Sequence, residues 1–498
     1  MNNVSPRRFL TREPPPIASI AKSAPYPWFV VGTVCIGAFM GQLDASIAQL
    51  VLPTLQSTFH ASLAFVSWVA LAYLLVLGVT LPIFGRLADM FGRKLLYTAG
   101  FLVFILGSGL CGFADNLAGL IAARVLQAVG AGLLQANSVA IVTAAAGPQR
   151  RGRAIGLQGA AQAIGLSTGP ALGGFLIQSL GWKWIFWINV PAGLIGTILG
   201  WMILPQTEGI RHDERFDWWG ALLLTPALTG LLLALSEVRD WGVTSVAFLT
   251  STAVAVGFFV PFVMHESRSS KPLVDLQLFR VRAFTAGNIA GLISYSLLFG
   301  VFFLLPFGLE RGYGESPFVA GLRLTTIPIA LGIVAPFAGL LSDRLSVRPL
   351  TVAGLLLVAA SLVAVALLLD GRTVTLAPLT VALTVFGIGQ GLFTAPNNSA
   401  IMGSAAHHRL GAAGGILNLM RTMGTSLGVA LAATLLSFDI ARRMAPGETA
   451  KASQAALLAG IHDVILLFAA LSVVGAAVSM VRQRKTARVE AHEPLIGI

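Results

Sequence analysis

Long apolar runs, separated by short polar segments, repeat along almost the whole chain. Runs of about 18 or more apolar residues are long enough to cross a bilayer as helices. Fourteen such runs follow a polar, proline-rich stretch of 27 residues that lacks the form of a cleavable signal. We predict spans at Trp28–Leu52, Leu63–Pro82, Leu95–Phe113, Leu117–Ala144, Ala154–Ile177, Trp184–Leu204, Trp218–Leu235, Val243–Met264, Ala283–Gly308, Phe318–Leu341, Leu350–Leu369, Leu376–Met402, Leu410–Leu436 and Ile461–Val481.

The two halves of the chain repeat a spacing of small residues. Gly130 and Gly165 recur at one constant offset as Gly389 and Gly424. This offset pairs spans 1–6 with spans 9–14 and leaves spans 7 and 8 as an insert. Facing repeats of this kind are typical of alternating-access transporters. We therefore predict an all-α polytopic membrane protein with two pseudo-symmetric six-helix bundles and two inserted helices.

The repeat also divides the chain into segments. We expect a cytoplasmic tail, a first bundle, an inserted hairpin, an interfacial linker, a second bundle and a second cytoplasmic tail. Their boundaries are residues 1–27, 28–204, 205–264, 265–282, 283–481 and 482–498.

The positively charged residues indicate the orientation of the spans. When the N-terminus is placed in the cytoplasm, most of the 33 Lys and Arg residues fall in cytoplasmic loops and in the two tails. Such an excess is typical of cytoplasmic loops. We therefore predict a protein of the cytoplasmic (inner) membrane with both termini inside. The same bias accounts for the net charge of +12, so we expect no nucleic-acid partner.

Composition argues against several classes of protein. Hydrophobic residues make up 56% of the chain and charged residues 11%, against about 25% charged in a soluble domain. The two cysteines lie inside apolar runs, and the seven histidines fall in loops, tails or span ends. No phosphate-binding loop of the G-x-x-x-x-G-K-[ST] type is present. We therefore expect no metal, no cofactor and no enzymatic activity, and an ion gradient as the energy source.

Charges inside apolar spans are rare and indicate function by default. Asp44 in span 1 and Arg124 in span 4 lie at a similar depth, both in the outer half of the membrane. Because burial and a nearby arginine have opposite effects on the protonation of a carboxyl group, such a site can take up a proton on one side and lose it on the other. We predict that Asp44 and Arg124 couple transport to protons. A purely structural ion pair is the alternative for Asp44, and pairing with backbone carbonyls is the alternative for Arg124.

Other polar residues within the spans are candidates for contact with a substrate. Arg421 lies near the middle of span 13, and Arg323 in span 10 is close enough to the outer surface to reach water or Glu310. The predicted contacts are Gln49, Gln127, Gln135, Asn137, Asn288, Tyr295, Gln390, Asn418 and Arg421.

The loop between spans 2 and 3 reads GRLADMFGRK from Gly85 to Lys94. Its glycines permit a tight turn, and Asp89 is placed to meet a helix start or an arginine such as Arg344. We predict a cytoplasmic latch formed by Gly85, Asp89, Gly92, Arg93, Asp343 and Arg344. An ordinary basic loop is the alternative.

Span 5 carries GLSTGPALGG between Gly165 and Gly174. Glycines four residues apart make a flat face for close helix contact, and Pro170 kinks the helix. Packing alone is the plain interpretation of Gly165, Gly169, Pro170, Gly173 and Gly174.

These motifs together resemble the major facilitator superfamily. The loop at Gly85 is similar to its signature G-x-L-a-D-r-x-G-r-k, with Met90 replacing a basic residue, and span 5 matches its antiporter motif. The sequence LDASIAQLVLP from Leu43 resembles the L-D-x-T-I-V-N-x-A-L-P element of the fourteen-span drug–proton antiporters, with Gln49 in place of asparagine. This resemblance implies the major facilitator fold and proton-driven export.

We therefore expect a proton-coupled antiporter that exports lipophilic, cationic or neutral drugs and toxic compounds by alternating access. Its partners would be these small molecules, protons and the lipid bilayer, and a periplasmic adaptor is left open. An exporter of an endogenous metabolite, lipid or siderophore is the alternative within transport. A non-transporting membrane scaffold or sensor is the alternative from another class.

Overall fold

The computed structural model describes residues 13–207, 217–242, 244–269, 272–344, 346–372, 376–405, 410–443 and 450–481. These residues form helices and short connections, and the described part contains no strand. Fourteen stretches are long and apolar enough to cross a membrane, which confirms the all-α, fourteen-span prediction. In span order the helices are Tyr26–Leu50, Leu63–Phe91, Arg93–Phe113, Leu117–Ser179 (spans 4 and 5), Trp184–Trp187 with Asn189–Ile203 (span 6), Trp218–Trp241, Val246–Arg268, Arg282–Phe307, Pro317–Arg344, Val347–Leu368, Leu376–Gly403, Leu410–Arg443 and Ala450–Met480.

Side chains and glycines set several helix boundaries. The hydroxyl of Ser62 accepts a hydrogen bond from the Phe65 backbone at the start of span 2, and Asn116 caps span 4 in the same way. These oxygens satisfy backbone N–H groups that a helix start leaves unpaired. Spans 4 and 5 are separated at Gly147, whose φ of 69° favours glycine. The helix of span 2 extends to Phe91, so Gly85 is helical and does not belong to the turn predicted there.

The repeated glycines bring neighbouring helices close together in both halves. A Cβ atom on Gly130 would lie 2.8 Å from the carbonyl oxygen of Gly100, which joins spans 3 and 4. A Cβ atom on Gly389 would lie 2.8 Å from the carbonyl oxygen of Gly354, which joins spans 11 and 12. Small residues permit such close approach of membrane helices. The sequence repeat therefore corresponds to a repeated helix crossing.

A second crossing is repeated between the other pair of helices. Gly165 of span 5 lies against the Phe39 carbonyl of span 1, with no room for a side chain. Gly424 of span 13 lies in the same way against the Leu292 carbonyl of span 9. The two halves are therefore built on the same backbone contacts.

The inserted spans 7 and 8 form a hairpin. Gly230 of span 7 lies against the backbone of Ser251 in span 8. The Thr434 hydroxyl of span 13 donates a 2.6 Å hydrogen bond to the carbonyl of Leu235 in span 7. The other side of span 8 exposes large apolar residues such as Leu249 and Phe259. Span 7 therefore contacts the second bundle, whereas span 8 has a lipid-facing surface.

The helix assembly has two opposite ends, the terminal face and the distal face. The terminal face carries the start of span 1 at Tyr26 and, because the number of spans is even, the end of span 14 at Met480. The distal face carries the short helix Leu52–Phe59, which follows span 1, and the turn Gly308–Gly312, which follows span 9.

Substitution of a crossing glycine tests this packing. A Cβ atom on Gly130 meets the backbone nitrogen of Phe104, which no side-chain rotation relieves. We expect Gly130→Leu to destabilise the protein by about 1–3 kcal/mol or more, as overpacking does. The measurement is the midpoint of thermal unfolding of the purified protein in detergent.

Gly109→Leu is the matched control, because a Cβ atom on Gly109 has open space around it. We expect that variant to unfold within about 0.5 kcal/mol of the parent chain, as surface substitutions usually do. Equal stability of the two variants would show that the Gly130 crossing does not limit the fold.

Candidate functional site

A fully buried ion pair joins spans 1 and 4. Nη1 of Arg124 lies 2.6 Å from Oδ2 of Asp44, and the two side chains are 1% and 0% exposed. The structure thus brings together the two residues expected at equal depth. A buried pair of this kind is maintained only if its remaining donors and acceptors also have partners.

Three further side chains hydrogen-bond within this group. Oδ1 of Asp44 accepts from the amides of Gln127, at 2.9 Å, and of Asn189, at 3.3 Å. The Gln127 amide also donates to the hydroxyl of Ser108, at 2.6 Å. Both oxygens of Asp44 are therefore bonded, by residues of spans 4 and 6.

Arg124 is held from span 2 and from span 6. Its Nε donates to the carbonyl of Val69 at 3.1 Å. Its guanidinium lies 4.1 Å from the centre of the Tyr73 ring and 5.8 Å from that of Phe186. The ring of an aromatic residue attracts a cation electrostatically. Nη1 of Arg124 also donates to the side-chain oxygen of Gln127 at 2.6 Å. Besides the Asp44 carboxylate, Arg124 therefore has a backbone carbonyl, an amide oxygen and two aromatic rings as partners.

A small cavity of about 50 Å³ lies between the two halves, next to the ion pair. Phe104 of the first half and Phe299 of the second contribute to its apolar wall. The described residues that line it include no aspartate and no glutamate. Its polar lining residues are Gln42, Tyr73, Gln135, Ser138, Gln162, Arg421, Thr422 and Thr425.

Tyr73 connects the cavity to the ion pair. Its ring lines the cavity and also lies against the guanidinium of Arg124. Ala45, the neighbour of Asp44 along the chain, lines the same cavity. A molecule in the cavity would therefore contact Tyr73, and Arg124 and Asp44 lie behind it.

The predicted substrate contacts fall into two groups. Gln135 and Arg421 line the cavity, and the Tyr295 ring lies 5.0 Å from the Arg421 guanidinium. The cavity lining includes neither Tyr295 nor the other six. Gln127 belongs to the ion-pair group, and Gln390 bonds to Ser294.

The remaining four predicted contacts, Gln49, Asn137, Asn288 and Asn418, also lie outside the cavity lining. The side-chain amides of Asn137 and Asn288 donate to the carbonyls four residues earlier. Gln49 is buried in span 1, and its side-chain oxygen has no partner among the described residues. Asn418 lies one turn before Arg421, and its carbonyl accepts from Thr422.

Sequence reasoning missed Gln42, Gln162 and Tyr73 as lining residues. Gln42 and Gln162 could have been identified in the same way as Gln135, because each is a polar amide residue inside a predicted apolar span. No signal in the sequence identifies Tyr73, because its place between cavity and ion pair depends on the rotation of span 2. Arg323, expected near water or Glu310, pairs instead with Glu315 at 2.6 Å.

The glycine-rich motif of span 5, from Gly165 to Gly174, makes two sets of contacts. Gly165, Gly169 and Gly173 lie against span 1. Near the distal face, Gly174 lies against the Pro317 carbonyl of span 10, and the Pro170 carbonyl lies against Gly321. The two halves are therefore in direct backbone contact there.

The distal face has two more contacts between the halves. Arg311, in the turn after span 9, donates to the Pro53 carbonyl at 2.9 Å. The rings of Phe175 and Phe318 lie 6.3 Å apart. The halves are thus joined at the distal face by helix, turn and ring contacts.

The predicted latch lies at the terminal face. Gly92 makes the turn between spans 2 and 3, with φ of 106°, and the Arg93 backbone donates to the Thr207 hydroxyl at 2.7 Å. The side chains of Asp89, Asp343 and Arg344 lie outside the described part of the structure, so the latch stays a prediction. An unexpected residue, Glu13, is buried there and accepts from the Leu95 backbone at 3.2 Å.

The chain is similar to bacterial transporters along most of its length. A riboflavin transporter of Clostridioides difficile is 35% identical over 459 residues, which are 92% of this chain and 98% of the relative. A tetracenomycin C resistance and export protein of Streptomyces glaucescens is 31% identical over 412 residues, 82% of this chain and 76% of the relative.

The fold has counterparts among solved structures. A bacterial homologue of the human lysosomal transporter Spinster, in an inward-facing and unoccupied conformation, aligns with a TM-score of 0.67 at 16% identity. The alignment covers 92% of this chain and 97% of that one. The sequence model of the Major Facilitator Superfamily matches residues 34–281 and 287–494. The chain is therefore a multi-pass membrane transporter that belongs to the Major Facilitator Superfamily.

Proposed function

We propose that this transporter exports lipophilic small molecules across the cytoplasmic membrane in exchange for protons. The observation that supports this is the buried Asp44–Arg124 pair, separated from the central cavity by the Tyr73 ring. In this proposal both termini lie in the cytoplasm, so the terminal face is the cytoplasmic one.

The ion pair supplies a proton-dependent contact. With Asp44 ionised, the carboxylate holds Arg124 at 2.6 Å. A proton on Asp44 removes this attraction, while Arg124 keeps its contacts with Val69, Tyr73 and Gln127. Protonation of Asp44 therefore alters the ion pair that lies directly behind the Tyr73 ring of the cavity wall. Proton binding and substrate binding are therefore coupled through Tyr73.

Alternating access requires the halves to separate at one face and close at the other. The contacts of spans 5 and 10 and of Arg311 close the distal face. We infer that this conformation admits substrate from the cytoplasm, and that export requires these contacts to open. The antiporter motif in span 5 supports exchange over co-transport by its resemblance.

A second candidate is the export of an endogenous metabolite. The similarity to a riboflavin transporter over 92% of this chain favours it. Both candidates use the same cavity and the same ion pair, and they differ in the molecule carried. A scaffold or sensor would not respond when the proton gradient is dissipated.

Substitution of Asp44 tests the coupling. Asn has nearly the same size but carries no charge, so Asp44→Asn removes the ion pair and the proton site together. We expect a loss of at least about tenfold in proton-driven uptake of a fluorescent lipophilic dye by inside-out vesicles. Binding of the dye to the purified variant should persist, because Asp44 does not line the cavity.

Asp115→Asn is the control for this experiment. Asp115 is 88% exposed and lies 3.5 Å from Lys183, so its charge is in water. Uptake by that variant should match the parent chain and should disappear with an uncoupler. Full proton-driven uptake by Asp44→Asn would remove Asp44 from the mechanism.

Substitutions in span 10 test whether its contact with span 5 closes the distal face. A methyl group on Gly321 would collide with the Pro170 carbonyl, whereas one on Gly332 would lie 3.7 Å from Ala163, an ordinary contact. We expect Gly321→Ala to hold the distal face open and to lower transport at least about tenfold. Gly332→Ala should stay within about twofold. Equal rates of dye uptake for the two variants would contradict a role for this contact.

A further inference from the structure

Arg421 lies in the wall of the central cavity, where the described lining residues include no acidic side chain. Its guanidinium contacts the Tyr295 ring at 5.0 Å, and no described carboxylate forms an ion pair with it. By contrast, Arg124 in span 4 and Arg323 in span 10 each form an ion pair with a carboxylate. A cation in a membrane-embedded cavity is costly unless water or a ligand compensates its charge.

Resting on the proposed function, we propose that Arg421 binds an anionic group on an aromatic substrate. A guanidinium offers five N–H donors in one plane, suited to a carboxylate, a phosphate or an ionised ring oxygen. The guanidinium lies over the Tyr295 ring, and its N–H groups remain for the ligand. The charge in this cavity attracts anions and repels cations.

The remainder of the cavity suits the rest of such a molecule. Phe104, Phe299 and Tyr73 provide aromatic surface, and Gln135 and Gln162 provide amide groups. No described lining residue is acidic, so no carboxylate of the wall competes for Arg421 or attracts a cationic drug. The cavity therefore favours aromatic anions over the cationic compounds expected from the sequence.

This substrate class changes the charge balance of the exchange. One proton moving in against one monovalent cation moving out transfers no net charge. One proton moving in against one monovalent anion moving out transfers two positive charges inward. A membrane potential that is negative inside then assists both halves of the exchange.

Binding of two dyes that share one ring system tests the charge preference. Fluorescein is an anion at neutral pH, and rhodamine 123 is a cation built on the same xanthene ring. Both are titrated against the full chain in nanodiscs of phosphatidylcholine, which carries no net charge. We expect fluorescein to bind at least about tenfold more tightly than rhodamine 123. Equal or reversed affinities would overturn the proposal.

Variants of Arg421 show whether this residue causes the preference. Arg421→Gln should weaken fluorescein binding at least about tenfold and leave rhodamine 123 unchanged or tighter, whereas Arg421→Lys should restore most of the preference. Arg323→Gln is the control, since Arg323 does not line the cavity and should not affect it. Unchanged fluorescein binding in Arg421→Gln, or an equal loss for both dyes, would refute the role of Arg421. If Arg421→Gln does not fold, the proposal is judged by whether the parent chain binds fluorescein more tightly than rhodamine 123.

Transport separates this inference from the proposed function. Proteoliposomes are given a proton gradient, with or without a membrane potential, and uptake of riboflavin, fluorescein and rhodamine 123 is recorded. Faster fluorescein uptake with the potential than without it supports the charge assignment. Proton-driven uptake that favours rhodamine 123 would overturn the assignment and leave the antiport intact. Selective fluorescein binding without any proton-driven uptake would overturn the antiport and leave the assignment intact.

Discussion

The contact between Asp44 and Arg124 constrains how the helices of the first half pack together. Two opposite charges are removed from water, and the loss of hydration is offset only when the remaining donors and acceptors of the pair itself have partners. That requirement fixes span 1 against span 4, with Gln127, Asn189 and the Val69 carbonyl in defined places. The pair therefore acts as a structural contact and, in the proposed mechanism, as the proton site.

The glycine contacts determine which parts move together. Within each half, backbone meets backbone at pairs such as Gly100 with Gly130 and Gly354 with Gly389, so the neighbouring helices are tightly joined. Between the halves, such close backbone contact occurs near the distal face, where span 5 meets span 10. Spans 2 and 13 also pack against each other across the halves. The proposed alternation therefore moves two tightly joined halves and opens the close contact between spans 5 and 10.

The sequence predicted the spans, the repeat and the similar depth of Asp44 and Arg124 because these depend on position along a helix. Apolar length gives the span, and residue count gives the depth. Neither gives the rotation about the helix axis. For this reason Asn137, predicted to contact a substrate, bonds within its own helix, and Tyr73 was not recognised. Hydropathy also does not report where a helix ends, so Gly85 was expected in a turn although the helix of span 2 continues past it.

The Asp44–Arg124 ion pair and the Arg421 side chain differ in what they can contact. Asp44 and Arg124 neutralise each other behind Tyr73, so a molecule in the cavity meets neither charge directly. Arg421 faces the cavity and has no such partner among the described residues. If the proton-binding carboxylate lined the cavity, a cationic substrate would compete with the proton for it. With the carboxylate buried, that direct competition is absent, and coupling has to be transmitted through the position of the Tyr73 ring and its contact with Arg124.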